Sequence, residues 1–250
     1  MASGDLCRPG APPPATAPPL PGPALLRQGW RGTVFLHWPV EAGRVAHLFP
    51  PGTRPDVLDG ATYVGLVAFR AEFTRVLGVV PVGAFSEVNV RLYSIDGHGR
   101  RGVVFLSMDA DSLHSVVAAR ALPGVPYMWS DIGLRQDGPG RCAGAVRRRA
   151  PQRGAWARWS LRVEERPVRP TPLERFVTAR WGLHTRRAGL THWVRVFHEP
   201  WTLHRARTLS YEGDLTARAG VGLLPGTPLV SALWSPGAEA AVTPSLIPVR

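Results

Sequence analysis

The segment 85–93 carries the residue types of this chain that are best suited to chemistry. It reads Phe-Ser-Glu-Val-Asn-Val-Arg-Leu-Tyr. Because successive side chains of a strand point to opposite faces, a strand here places three aliphatic residues on one side. The other side then carries Glu87, Asn89, Arg91 and Tyr93, which we call the polar row. A carboxylate, an amide, a guanidinium and a phenol in one row are suited to lining a polar binding site.

Each member of the polar row has a chemical use in such a site. The guanidinium fork of Arg91 matches the two oxygens of a carboxylate. Glu87 could act as a general acid or base in a dry site, while Asn89 and Tyr93 could orient a carbonyl or hydroxyl group. His37, in an apolar segment, could reach the same site or be a core histidine. Two alternatives to ligand contact remain for the row: a buried structural network, or a solvated sheet face.

Other patterns exclude several kinds of chemistry. All 30 lysine and arginine residues are arginine, which rules out a lysine Schiff base. The spacing of His198 and His204 differs from the His-x-x-x-His of helical zinc sites. Ser107 lies outside any Gly-x-Ser-x-Gly elbow, and no glycine-rich phosphate loop follows a strand. We therefore expect no cofactor and no metal.

The overall composition indicates a globular protein of short strands. The chain has 250 residues, of which 44% are hydrophobic, with 27 glycines and 26 prolines that favour turns over long helices. No apolar segment reaches the roughly 18 residues of a membrane span, and no signal peptide is recognisable. The two cysteines, Cys7 and Cys142, are far apart in the sequence. These features predict a cytoplasmic protein, which could form a homo-oligomer.

The elements that must position the polar row follow from turn and capping signals. Residues 1–23 are rich in proline and predict a disordered leader, followed by a single folded domain at 24–250. We predict strands at 32–38, 54–58, 61–69, 85–95, 103–109, flanking 137–140 and 150–154, near 181–187 and 191–199, and at 228–234. We predict helices at 40–49, 112–121 and 171–180. This order favours a mainly β (α+β) fold, an antiparallel barrel or curved sheet with two or three short helices.

The positive charge of the chain is concentrated in one region. Residues 135–187 hold 14 arginines and four acidic residues, whereas the whole chain has a net charge of +12. Arg147, Arg148 and Arg149 are consecutive, and Trp156 lies beside Arg158. Cationic and aromatic residues together can bind nucleic acid. Arginine accumulation through codon bias explains the same pattern.

Several short motifs occur along the chain in a characteristic order. They are Gln28-x-Trp30, Phe35-Leu-His-Trp38, Leu48-Phe-Pro-Pro-Gly52, Asp59-Gly60, Phe85-x-Glu87-x-Asn89-Val-Arg91-x-Tyr93, Ser107-Met-Asp109, Val125-Pro-Tyr127, Phe176-x-Thr178-x-Arg180, His198-x-Pro200-Trp201 and Ser235-Pro-Gly237. In combination these motifs resemble the YqjF-like family of the acetoacetate decarboxylase-like superfamily. The resemblance spans about residues 25–240. It implies a cone-like β-barrel around a small internal cavity.

The resemblance also directs the functional expectation. Acetoacetate decarboxylases use a cavity lysine, which this chain lacks, so their Schiff-base mechanism does not transfer. The acidic position of the Phe-x-Glu strand, here Glu87, carries over. We expect a cavity that binds a small carboxylate- or carbonyl-bearing molecule, with proton-transfer or lyase-type chemistry at Glu87. The alternatives are a non-catalytic sensor or carrier and an arginine-patch nucleic-acid binder; no membrane partner is expected.

Overall fold

The computed structural model describes most of the chain. The described residues are 13–20, 22–77, 80–121, 124–135, 140–223, 227–243 and 248–249. Most of the leader, with Cys7, and the predicted turn at 137–139 lie outside them. None of the helices in this part of the chain is long and apolar enough to cross a membrane.

Strands dominate the secondary structure. The strands are β1 (Leu26–Val40), β2 (Thr53–Pro55), β3 (Thr62–Val76), β4 (Val80–Asp96), β5 (Arg101–Ala110), β6 (Tyr127–Arg135), β7 (Gly140–Ala150), β8 (Trp156–Val163), β9 (Gly182–Arg187), β10 (Leu190–His198), β11 (His204–Gly213) and β12 (Ser231–Thr243). The helices are α1 (Ala42–Val45), α2 (Leu113–Ala121), α3 (Pro172–Thr178) and α4 (Leu215–Arg218). A 3₁₀ turn at Ala46–Leu48 follows α1.

All twelve strands belong to one sheet, whose pairings close on themselves in two places. Following hydrogen-bonded neighbours, β12, β1, β3, β4, β5, β9 and β10 return to β12 and form what we call the seven-strand ring. The strands β6, β7, β8 and β11 form a second path from β5 back to β12. The expected mainly β, cone-like architecture is confirmed. It is not purely antiparallel, because β5 pairs in parallel with both β6 and β9.

The alternation of β4 decides which way the polar row faces. Its aliphatic face packs into a core shared with β1, β3, β7 and β8, which contains Val88, Val90 and Leu92. Since successive residues alternate, the polar row faces the opposite side, toward α3 and β10. It therefore points into the space enclosed by the seven-strand ring.

Several local predictions differ from the structure. The Asp59-Gly60 turn forms, with φ of 52° and 82°, and a single antiparallel bridge joins Leu58 to Ala61 across it. The strand β2 before the turn pairs with β4 instead of extending this hairpin. The strand β11 was not predicted, and neither was α4, which raises the number of short helices to four in the described residues. The last strand is much longer than predicted because glycine at position 237, φ 138°, lets it continue against the Trp30 carbonyl.

Other local predictions are confirmed. Helix α3 begins with the expected capping box, in which Thr171 and Glu174 bond each other's backbone N–H groups. The division into a leader at 1–23 and one domain at 24–250 stays a prediction. Within the leader, the carbonyl of Pro14 accepts a 3.0 Å hydrogen bond from the indole of Trp181.

Candidate functional site

The polar row is buried inside the seven-strand ring. Glu87 and Asn89 are each 2% exposed, while Tyr93 and His37 are fully buried. Arg91 is half-buried. A solvated sheet face is therefore the wrong interpretation of these residues, which leaves ligand contact and a buried structural network.

One end of the row is a hydrogen-bonded group around the Tyr93 hydroxyl. Its oxygen lies 2.7 Å from His37 Nε2, and it also lies 3.0 Å from the Val177 carbonyl at the end of α3. Arg91 donates to the same hydroxyl at 3.3 Å and to the Val177 carbonyl at 3.0 Å. A glycine at position 65 is required here, because a Cβ would lie 2.9 Å from the Tyr93 hydroxyl. His37 thus contacts the polar row, which was one of the two alternatives for it, and its Nδ1 atom has no hydrogen-bond partner in the part of the chain that the structure describes.

Arg91 has no carboxylate partner among the described residues, although the row is buried. A guanidinium has five N–H donors, and its described hydrogen bonds go to one hydroxyl and one carbonyl. Burial lowers the pKa of His37 well below its usual value and that of His198 to about 4, and the charge of Arg91 lowers both further. Both imidazoles are therefore neutral at pH 7, and the positive charge of Arg91 is left without a compensating anion.

The other end of the row is built around Glu87. Its carboxylate accepts hydrogen bonds from the Asn89 amide at 3.1 Å and from the Tyr127 hydroxyl at 3.0 Å. Burial raises the pKa of Glu87 to about 7, against the opposing effect of these two hydrogen bonds. The Asn89 amide oxygen is buried, and none of the described residues hydrogen-bonds it. Glu87 can therefore gain or lose a proton near neutral pH, as a general acid or base requires.

The two ends of the row are well separated. Arg91 lies four positions after Glu87, roughly 13 Å along the strand. The Arg91 guanidinium bonds the Tyr93 hydroxyl, which lies still further from Glu87. A β-bulge in the β4–β5 pairing also falls between them. Arg91 does not neutralise Glu87, and a ligand that touches both groups must span the interior of the ring.

A second cluster of charge lies next to Tyr93. Asp56 accepts hydrogen bonds from Arg101 at 2.7 and 3.0 Å and from Arg180 at 2.6 Å. Arg180 is 5% exposed and lies over the Tyr93 ring, 4.8 Å from its centroid. Burial lowers the pKa of Arg180 to about 10, so it stays charged at neutral pH. We call Arg91, Arg101, Arg180 and Asp56 the cationic end of the ring interior.

The sequence missed residues that other elements bring to the row. Arg180 follows α3, Tyr127 begins β6 and His198 ends β10. All three stand in motifs of the family resemblance, but no spacing links them to β4. Only the ring closure, which the sequence does not specify, places them beside the row.

A Ser–His–Asp chain of the type found in hydrolases lies elsewhere in the fold. Ser94 Oγ lies 2.8 Å from His184 Nδ1, and His184 Nε2 lies 3.2 Å from Asp96. All three residues are buried, and Ser94 is fully so. We interpret the chain as structural, because its three groups hydrogen-bond one another and neither Ser94 nor Asp96 lines either of the two surface clefts described below.

The described residues offer little support for other kinds of site. They contain no group of three His, Cys, Asp or Glu residues able to hold a metal. Two surface clefts of about 680 and 430 Å³ are lined by other residues than those of the polar row. The first lies on the β6–β8 strands, and the second lies between β5, β9 and the segment after β1.

The arginine-rich region is more neutral than its sequence suggests. Arg148 is buried and forms a bidentate ion pair with Asp109 at 2.8 Å. The exposed Arg149 and Arg158 each pair with an acidic neighbour. Arg148 is thus unavailable to nucleic acid, and two other arginines of the predicted patch are already partly neutralised.

The fold and these motifs define the family. The chain belongs to the family DUF2071, described as "Uncharacterized conserved protein (COG2071)", which it matches over residues 27–239. The "Uncharacterized protein YqjF" of Bacillus subtilis (strain 168) is 27% identical to this chain over 211 residues. That match covers 82% of this chain and 86% of YqjF. The predicted YqjF-like resemblance is confirmed.

Solved structures show the same fold at low sequence identity. Acetoacetate decarboxylase from Legionella pneumophila superposes with a TM-score of 0.64 at 12% identity, covering 92% of each chain. An acetoacetate decarboxylase-like enzyme from Sphingomonas wittichii RW1 gives 0.60 at 13%, covering 92% of this chain and 94% of that one. The enduracididine biosynthesis enzyme MppR complexed with pyruvate gives 0.55 at 14%, covering 89% of each chain. The fold is therefore that of the acetoacetate decarboxylase-like proteins.

Proposed function

We propose that this protein binds a small carboxylate-bearing molecule inside the seven-strand ring, with Arg91 as the contact for the anion. His37, Asn89 and Tyr93 line the same interior and position the ligand. MppR, which shares the fold, is described in complex with pyruvate, a carboxylate of this size. Because the chain has no lysine, the ligand is not held as a lysine Schiff base, and we propose that it binds non-covalently.

The observation that carries this proposal is the charge of Arg91. A charge withdrawn from water is costly unless an anion compensates it, and no described carboxylate pairs with Arg91. The adjacent imidazoles are neutral and supply none. A ligand carboxylate supplies the missing charge and matches the free N–H groups of the guanidinium.

Calorimetric titration with pyruvate tests the proposal. We expect the wild-type protein to bind pyruvate and Arg91→Gln to lose at least about tenfold in affinity, as for one charge-assisted contact. Arg158→Gln, which removes an exposed arginine of the β8 strand, is the matched control and should bind as the wild type does. Equal affinities of the wild type and Arg91→Gln would remove Arg91 from the site.

Proton transfer is the second candidate function, and the pKa of Glu87, about 7, favours it. Because Glu87 and Arg91 are far apart along β4, the substrate would be a keto acid whose ketone is remote from its carboxylate. Glu87 would take a proton from the carbon beside the ketone, leaving an enolate, and then return a proton to that carbon. This assigns enolisation rather than decarboxylation to the site.

Deuterium exchange separates this enzyme from a carrier or sensor. We expect 5-oxohexanoate to exchange the protons beside its ketone faster in D₂O with the wild type, as followed by proton NMR. Glu87→Gln should abolish the acceleration while keeping the affinity for the ligand. Binding without exchange in the wild type would leave the carrier or sensor function.

We also propose a cytoplasmic location and no role for nucleic acid. Cys142 is buried and free, as expected of a protein in a reducing compartment. The pairing of Arg148, Arg149 and Arg158 argues against a phosphate-binding patch. Nucleic-acid affinity that falls steeply with salt and is lost in Arg147→Gln would contradict this view.

A further inference from the structure

Two arginines of the cationic end have incomplete carboxylate pairing. Among the described residues, Arg91 has no carboxylate partner, and Arg180 shares the carboxylate of Asp56 with Arg101, which binds it through two N–H groups. Arginine stays protonated in proteins, so Arg91 and Arg180 both carry a positive charge. One ligand carboxylate on Arg91 would leave Arg180 with only its share of Asp56.

The second positive charge is centred on Arg180. Its Nε donates to the Phe176 carbonyl at 2.7 Å and its Nη1 to Asp56 at 2.6 Å. Its Nη2 atom is buried and has no hydrogen-bond partner among the described residues. A buried donor without a partner costs free energy, and a charged one costs more than a neutral one. A second anionic group of the ligand would therefore gain the most binding free energy by accepting a hydrogen bond from this atom.

Arg91 and Arg180 are close enough to share one small ligand. Their guanidinium carbons lie 5.5 and 4.8 Å from the centroid of the Tyr93 ring, which places them within about 10 Å of each other. Both charges also lower the pKa of His37, so both act on the same point of the interior. A chain of a few carbons between two carboxylates bridges such a separation.

We propose that the ligand of the cationic end is a short dicarboxylate, with one carboxylate on Arg91 and the other on Arg180 Nη2. This inference rests on the proposed function, because it assumes that Arg91 binds a carboxylate. It adds the class of ligand and a residue that determines specificity. A dianion offers one carboxylate to each of Arg91 and Arg180, whereas a monocarboxylate offers one to Arg91 alone.

A matched pair of ligands tests the inference on the unmodified protein. Glutarate and pentanoate have the same carbon chain and differ in the second carboxylate. We expect calorimetric titration to give glutarate at least about tenfold higher affinity than pentanoate, as for one added charge-assisted contact. Equal affinities would overturn the inference and leave the proposed function standing. If Arg91→Gln binds both ligands as the wild type does, the proposed function fails as well.

A variant then tests the role of Arg180. We expect Arg180→Gln to lose the preference for glutarate while keeping the affinity for pentanoate. Arg100→Gln is the control, because it also removes an arginine paired with a buried aspartate, Asp96, outside the ring interior; it should keep the preference. If glutarate remains preferred in Arg180→Gln, the second carboxylate binds elsewhere and the assignment is wrong. Should Arg180→Gln fail to fold, the comparison on the wild type still decides whether the ligand is a dicarboxylate.

Discussion

Two buried arginine clusters of this protein differ in how completely their charges are paired. In the second path of the sheet, Arg148 forms a bidentate pair with Asp109, and the same two groups bond Ser130 and Gln152. In the seven-strand ring, Arg91 and Arg180 retain donors that no described residue accepts. The first cluster is complete without a ligand, whereas the second is not.

This difference separates a structural polar core from a binding site. Buried polar networks stabilise a fold when each member is satisfied and are costly when a member is missing. Both clusters combine buried arginine with aspartate, so the presence of these residue types alone cannot tell them apart. Pairing and hydrogen bonding distinguish them, and the following predictions disturb one cluster at a time.

The largest expected effect comes from breaking the complete cluster. Asp109→Asn removes the charge that pairs with Arg148 and should lower the free energy of unfolding by about 3–5 kcal/mol, the usual cost of one lost partner in a buried pair. Denaturant unfolding measures it. Asp131→Asn, at the exposed pair with Arg149, is the control and should cost at most about 1 kcal/mol. A similar small loss in Asp109→Asn would mean that Arg148 does not need its partner.

Glu87 should make stability depend on pH. Its pKa is about 7 in the folded state against 4.5 for the ordinary group, so the folded protein holds this proton more tightly than the unfolded chain. The stability from Glu87 is therefore complete below about pH 4.5 and is lost as pH rises through 7. At pH 8 we expect Glu87→Gln to be more stable than the wild type by on the order of 3 kcal/mol.

Unfolding midpoints measured across pH 5–8 check the Glu87 prediction. The difference between Glu87→Gln and the wild type should grow steadily with pH and level off above 7. A difference that stays constant over this range would show that Glu87 titrates at its ordinary pKa and is poorly suited to proton transfer at neutral pH.

A methyl group at position 65 should disturb the incomplete cluster without changing its charge. In Gly65→Ala the new Cβ would lie 2.9 Å from the Tyr93 hydroxyl and 3.1 Å from the His37 ring, so both side chains must shift. We expect a loss of about 1–3 kcal/mol in the free energy of unfolding, as for overpacking, together with weaker carboxylate binding. Gly133→Ala has open space around its Cβ and serves as the control. Unchanged ligand affinity in Gly65→Ala would show that the His37–Tyr93 pair does not position the ligand.

The smallest effect on stability is expected for Arg91 itself. Arg91→Gln loses hydrogen bonds to Tyr93 and Val177 but also removes a charge without a partner, so the two changes offset each other. We expect the free energy of unfolding to change by no more than about 1 kcal/mol, whereas Arg148→Gln should cost several times as much. A large loss in Arg91→Gln would mean that Arg91 is part of a structural network.

The sequence predicted the local features of the site but not its partners. Strand alternation placed Glu87, Asn89, Arg91 and Tyr93 on one face, since that depends only on the backbone period. The partners Tyr127, Arg180 and His198 come from elements brought together by ring closure and by the parallel pairs of β5. These long-range pairings depend on the packing of the whole chain and leave no local signal.

The same limit applies to the fold. The turn at Asp59-Gly60 and the capping box at Thr171 were predictable because their signals lie within four residues. The pairing of β2 with β4 was not, because the turn alone does not select a distant partner. The buried ion pair of Arg148 was not predictable for the same reason. It forms only because β5, β6 and β7 pair with one another and bring Asp109, Ser130 and Arg148 together.

A crystal structure of the protein soaked with pyruvate tests the central claim most directly. The account predicts electron density for a carboxylate inside the seven-strand ring, with its oxygens about 3 Å from the Arg91 guanidinium. It would be contradicted by an Arg91 whose free donors are filled by a carboxylate of the protein itself, with pyruvate absent from the ring. In that case both arginine clusters would be structural.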